Sequence, residues 1–232
     1  MARLVLFHGF AASNFTWRSV LGPLSAHHEA VAIERPFVPV ADAVDATISA
    51  LDDRGWRDAV LIGHSAGAEL AARVAAADPT RCRGMVLVAP VVGGGPPAIA
   101  RAVARAPVVR NVAPSLLRLG VRVGLDRALK QTWADKSAVT PDVVAGYRAP
   151  LLAPGVAESL WAMTAAAAAT PVDWGRLTTI PTLVVIGDRD KWAAAPPLPD
   201  ATVLTYETCG HLPHEEQPTR FVDDILGFLA AL

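Results

Sequence analysis

The chain has 232 residues, 52% hydrophobic and 19% charged, with 21 Lys and Arg against 22 Asp and Glu. That size and composition suit one large domain, or one domain with a small insertion, and exclude a disordered or collagen-like chain. Apart from a modest patch at Arg101, Arg105 and Arg110 there is no basic stripe, so a phosphate-tracking surface, and with it a nucleic-acid partner, is not expected.

Taken in chain order, residues 4–7 form the first apolar run, entered at once and too short for a signal peptide. A second run at 30–33 is followed by a helical segment, 40–53, with Val44, Ile48 and Leu51 on one stripe. Residues 59–62 and 84–88 read as further strands, with a helix over 66–77 between them. Strands at 182–186 and 202–206 and a helix over 217–229, carrying Phe221, Ile225, Phe228 and Leu229 on one face, complete the pattern. Four of the six strands are nearly continuous apolar segments, the mark of parallel strands covered on both faces. Strands alternating with helices predict an α/β sandwich of three layers.

The rhythm breaks between Pro90 and Pro171. That interval holds no convincing strand but has helical pattern near 99–110, 115–131, 142–152 and 156–168. It is too long for a crossover loop. The expected organisation is a core of residues 1–90 and 172–232 with a helical cap inserted at 91–171, and the run Gly93-Gly94-Gly95-Pro96-Pro97 as its flexible neck. The alanines at 165–169 lie in a region broken by Pro154, Gly155, Pro171 and Asp173, and no uninterrupted run of about 20 apolar residues exists, so a membrane span is not expected. Cys82 and Cys209 permit at most one disulfide and match no metal-ligand spacing, which suits a reducing, cytoplasmic setting.

The chemistry centres on Gly63-His64-Ser65-Ala66-Gly67, a G-x-S-x-G run between a predicted buried strand and a predicted helix. Glycines without Cβ atoms allow the tight turn that pushes Ser65 out from the top of the sheet. The following helix aims its first N–H groups and positive dipole end at charge formed near Ser65. With His8-Gly9-Phe10 after the first strand, Gly187-Asp188-Arg189-Asp190 after a late one and Gly210-His211 before the last helix, nearly the whole chain resembles the α/β-hydrolase superfamily, specifically its lidded esterase, carbon–carbon hydrolase and haloperoxidase-like branches. The order Ser, acid, His is that superfamily's order.

The resemblance implies the α/β-hydrolase fold and a Ser-His-Asp site with Ser65 as nucleophile, His211 as general base and Asp190 as the orienting acid, Asp188 being the alternative carboxylate. The near-neutral pKa of an imidazole suits the proton transfers asked of His211. Main-chain N–H groups of Phe10 and Ala66 would form the oxyanion hole. His8 resembles the structural histidine of the family's His-Gly turn, the His64 side chain should point away from Ser65, and His214 reads as a cap or surface residue. Candidate pocket residues are Trp17, Trp133, Tyr147, Trp161, Met163 and Trp192, although Trp17 could equally pack the first helix on the sheet. Leu116, Leu119 and Val123 add apolar surface to the cap, part of which would face Ser65.

Two departures stand out. Family members usually carry two strands before the one ending in His-Gly, so this sheet should have about six strands with 30–33 at an edge, and an exposed edge favours a homo-oligomer. The segment Glu34-Arg35-Pro36-Phe37-Val38-Pro39 replaces a glycine-rich loop. Serine where dehalogenase and epoxide hydrolase relatives use aspartate suits acyl transfer. The expected function is hydrolysis of a small or medium apolar carboxylic ester. Thioester release, acyl elimination, cyclisation or carbon–carbon hydrolysis on the same site are alternatives, as is a non-catalytic ligand-binding protein. No metal site and no dinucleotide fingerprint is visible, so no cofactor is expected.

Overall fold

The computed structural model describes residues 1–34, 38, 40–93, 98–166 and 170–232. Part of the 34–39 rim, residues 94–97 of the expected neck and residues 167–169 at the end of the last expected cap helix lie outside the described residues. The elements run β1 (Arg3–Phe7), a 3-10 turn at Asn14–Trp17, α1 (Leu21–Ser25), β2 (Glu29–Ile33), α2 (Val40–Asp53), β3 (Ala59–His64), α3 (Ala66–Ala77) and β4 (Cys82–Val88). After β4 come α4 (Ala98–Arg105), α5 (Pro107–Thr132), α6 (Pro141–Leu151), α7 (Val156–Ala165), β5 (Thr182–Gly187), β6 (Thr202–Tyr206), α8 (Pro213–Glu216) and α9 (Pro218–Ala230).

The sheet is open and has six strands in the order β2-β1-β3-β4-β5-β6, every pair parallel. Side chains alternate across it. Val5, Phe7, Leu61 and Leu87 pack toward α2 and α3, whereas Leu4, Leu6, Ile62 and Val86 pack toward Trp17, Leu24 of α1 and Phe221 of α9. Burial on both faces is why these strands read as continuous apolar runs. Strand β2 is one edge, as expected, and its residues are only partly covered. Cys82 and Cys209 are buried free thiols.

Between β4 and β5 the described residues form the four helices α4 to α7 and no strand. The pattern predicts helices over 99–110 and 115–131, but the break falls earlier, at Ala106, whose ψ of 132° is extended. Pro107 explains it: a proline disfavours helical geometry in the residue before it and is itself suited to the first helical position. Helix α5 then runs through Pro114 without ending. The insertion has its own small cluster of Val121, Leu151 and Leu160. A second cluster, including Leu129, Trp133, Val144 and Tyr147 with Ala12 and Leu212, joins it to the sheet domain.

Candidate active site

Strand β3 hands directly to α3 through Ser65, whose φ of 54° and ψ of −119° lie in a region that a non-glycine residue occupies only under constraint. The constraint is visible. Ser65 N–H donates to the Val88 carbonyl at 2.9 Å, and the Ser65 carbonyl accepts from Ala68 N–H at 3.0 Å. A Cβ on Gly63 would stand 2.2 Å from the Gly67 carbonyl oxygen, and one on Gly67 would stand 2.3 Å from that of Phe7. Both glycines are therefore required by close backbone approach. Ser65 is half-buried, and among the described residues its hydroxyl has no hydrogen-bond partner. The N–H groups of Ala66, at the first position of α3, and of Phe10, in the turn after β1, likewise donate to no protein acceptor there.

His211 lies in the loop between β6 and α8, and its Nδ1 is 2.7 Å from Asp190 Oδ2. Asp190 Oδ1 accepts the N–H groups of Trp192 at 2.8 Å and Ala193 at 3.2 Å. Burial alone would raise the Asp190 pKa, but the His211 ring and these two amides outweigh it and hold the carboxyl below its usual value. With Nδ1–H committed to a carboxylate, His211 Nε2 carries the free lone pair of the neutral ring. Asp188 does other work: it accepts Cys209 N–H at 3.0 Å from an exposed position and makes no contact with the imidazole.

The remaining histidines separate by environment. His64 Nε2 is 2.8 Å from the His211 carbonyl, which can only accept, so this nitrogen carries the proton. Burial, then the neighbouring His211, lowers the His64 pKa to about 3. The expectation that His214 is a cap or surface residue is corrected. It is fully buried, stacked 4.4 Å from Trp17 and 2.8 Å from Thr16 Oγ1, and burial first, then His64 and His211, pushes its pKa well below normal. His8 Nδ1 donates to the Gly9 carbonyl at 2.9 Å, while its Nε2 lies 3.3 Å from Glu34, holding the turn that leads to Phe10.

Two further anchors were not legible as site residues. His211 N–H donates to the Thr132 carbonyl at the end of α5 over 2.7 Å. Glu216 accepts from Gly210 N–H at 2.9 Å, Leu212 N–H at 3.3 Å and Ala134 N–H at 2.8 Å, gripping both neighbours of His211 and the helical insertion at once. Burial raises the Glu216 pKa, with the three amides opposing. Gly210 is required by its close approach to the end of α5, because a Cβ there would lie 2.3 Å from the Thr132 carbonyl oxygen. Alongside, Thr16 Oγ1 donates to Glu215 at 2.8 Å and accepts from the Tyr147 hydroxyl at 3.0 Å, and Arg18 and Tyr147 both pair with Glu215. Two adjacent glutamates at a helix start ordinarily read as dipole partners; only the tertiary contacts reveal them as anchors.

The expected pocket residues scatter. Trp192 is 47% exposed and sets its ring edge-on to His211 at 5.3 Å. Phe10 is also exposed. Trp17 is corrected: it is fully buried beneath β1 with Val20 and Phe221, so it packs the first turn onto the sheet. Trp133 and Tyr147 are buried against each other in an edge-to-face pair where the insertion meets the sheet domain. Trp161 is tied to the Ala104 carbonyl at 3.1 Å, and Met163 is half-buried on α7. Among the described residues no group of His, Cys, Asp and Glu is arranged to hold a metal ion, and no helix is long and apolar enough to cross a membrane.

A family model described as the alpha/beta hydrolase family matches residues 4–224. No curated protein sequence matches the chain. Among solved structures, the epoxide hydrolase CorEH superposes with a TM-score of 0.80 at 18% identity, covering 100% of this chain and 92% of its own. A meta-cleavage product hydrolase from Pseudomonas fluorescens gives 0.77 at 21%, covering 100% and 91%, and a thermophilic esterase from Thermogutta terrifontis gives 0.75 at 21%, covering 100% and 90%. At such identities the likeness is one of fold.

Proposed function

The chain belongs to the alpha/beta hydrolase family, and from that premise we propose that it is a serine hydrolase cleaving a small or medium apolar carboxylic ester through an acyl-enzyme. The observation that carries this reading is the 2.7 Å contact between His211 Nδ1 and Asp190, in the loops beyond β5 and β6, with the His211 carbonyl held at 2.8 Å by His64, the residue before Ser65. Asp190 fixes the tautomer, so that His211 Nε2 takes the Ser65 proton as Oγ attacks the acyl carbon. The carbonyl π electrons move to oxygen, and the N–H groups of Phe10 and Ala66 stabilise the resulting oxyanion. Collapse of the tetrahedral species expels the alcohol, which leaves with the proton from His211. Water, activated by the same imidazole, then releases the acid and restores Ser65.

Serine at the turn favours acyl transfer over the epoxide chemistry of a structurally similar enzyme, and the exposed Phe10 and Trp192 offer apolar contact beside the reacting carbon. The α4–α7 insertion serves in this reading as the cap over the site. The test is hydrolysis of a series of short to medium acyl esters by the wild type and by Ser65→Ala. Activity confined to the wild type supports the proposal. If no ester in the series is cleaved while Ser65 is still labelled by an acylating probe, the substrate class is wrong.

A further inference from the structure

Helix α5 is apolar on two opposite sides. Its inner side places Ala113, Leu117, Val121, Leu125 and Leu129, every fourth residue, against the rest of the protein. Its outer side carries Val108, Val112, Leu116, Leu119 and Val123, whose exposures run from 48% at Val112 to 76% at Val108. At 100° per residue these five fall within an arc of about 80° along about 22 Å of helix, a continuous stripe rather than scattered exposed residues. Helix α4 extends it with Ile99 and Val103, exposed by 77% and 55%. A helix with two apolar faces belongs between two apolar layers, and the fold supplies one.

The charge on this face identifies the other. Residues 98–132 carry seven Arg and Lys and one Asp, whereas the rest of the chain carries 14 Arg and Lys and 21 Asp and Glu. A chain close to neutral overall thus has a net positive balance on these two helices, where, of the seven, Arg118 is paired with an acid, Glu158. On α5, Arg122 and Arg127 flank the stripe on its two sides, and with Arg110 they are exposed and hold no acidic partner among the described residues. An apolar stripe bordered by arginines is the composition of a helix that lies in a membrane interface, with aliphatic side chains among the acyl chains and guanidinium groups at the phosphates. A second copy applied symmetrically to the same face would bring two like-charged surfaces together. We propose that the α4–α5 face seats the protein on an anionic phospholipid surface.

The test is flotation of the full chain with vesicles of phosphatidylcholine alone and of an equimolar mixture with phosphatidylglycerol. The wild type should float with the anionic vesicles only, less so as salt is raised. The combined variant Leu116→Ser, Leu119→Ser and Val123→Ser, and separately Arg110→Glu, Arg122→Glu and Arg127→Glu, should each lower the bound fraction at least about tenfold, with circular dichroism unchanged. All six side chains are at the surface or its margin, and the charge reversals leave every packed contact in place, so a folding failure of the apolar variant does not remove the test. The proposal is overturned if the wild type stays in the soluble fraction with both vesicles, or if both variants float as the wild type does. It is also overturned if light scattering gives a two-chain mass that the apolar variant reduces to one while vesicles are ignored, since the face would then join copies of this chain.

Discussion

The ring of His64 donates from Nε2 to the backbone carbonyl of His211 at 2.8 Å. The residue before the proposed nucleophile therefore holds the main chain of the proposed base, and it does so as a neutral imidazole whose other nitrogen is buried without a partner. Protonating His64 would place a buried cation beside the rings of His211 and His214.

Acid should destabilise the protein. The folded-state pKa of His64 is lowered from 6.5 to about 3, and that of His214 is lowered as well. The unfolded chain takes these protons first, so their contribution is complete above pH 6.5 and is lost as pH falls below it, at about 1.4 kcal/mol per pH unit for each group. Asp190, with its lowered pKa, adds a loss at lower pH, while Glu215 and Glu216, raised by burial, oppose. Urea unfolding at about pH 7.5 and about pH 5.5 should differ by about 1–3 kcal/mol, less stable in acid. Equal stability would contradict the burial of both rings as neutral species.

In the proposed mechanism Glu216 is a positioning residue, acting on His211 through its neighbours Gly210 and Leu212. Glu216→Ala should leave three amides without their acceptor, costing about 2–3 kcal/mol in stability, and should lower kcat about tenfold with KM little changed. Glu216→Gln, which keeps a carbonyl oxygen for Gly210 and Leu212, should recover part of kcat. Thermal melts and steady-state kinetics check both; an unchanged kcat in the alanine variant would remove Glu216 from this role.

The turn at Ser65 leaves no room for a methyl group. Gly67→Ala must displace the Phe7 carbonyl, 2.3 Å from the new Cβ, and should cost at least about 3 kcal/mol. Gly120 in α5 has nothing within 4 Å of such an atom, so Gly120→Ala should be neutral or stabilising by up to about 1 kcal/mol. Chemical denaturation of the two variants measures the contrast.

Trp17 and Trp192 should behave in opposite ways. Trp17→Ala opens a cavity in the core and should cost about 3–5 kcal/mol without changing acyl preference. Trp192→Ala should alter stability by no more than about 0.5 kcal/mol while shifting kcat/KM between short and longer acyl esters. Melting temperatures and an ester-length profile distinguish the two.

The sheet was readable because its four inner strands are covered on both faces, and all six apolar runs begin and end within a residue or two of the observed strands. Ser65, Asp190 and His211 stood out because each follows a strand in a short motif. Where α4 ends was harder to read: Pro107 starts a helix and Pro114 sits inside one, so the same residue type marks opposite events. The burial of His214 was hidden because its partners, Thr16 and Trp17, lie almost 200 residues away in the chain. The outward turn of Leu116, Leu119 and Val123 was hidden for a related reason, since α5 offers two apolar stripes and only packing decides which faces in.

The central claim, that Ser65 is activated by an Asp190-oriented His211, is tested most directly by intact-mass measurement after exposure to a fluorophosphonate. The wild type should gain one adduct and Ser65→Ala none, with Asp190→Asn labelled at least about a thousandfold more slowly because its amide no longer holds the productive tautomer. An unlabelled wild type, or an adduct that persists in Ser65→Ala, would contradict it.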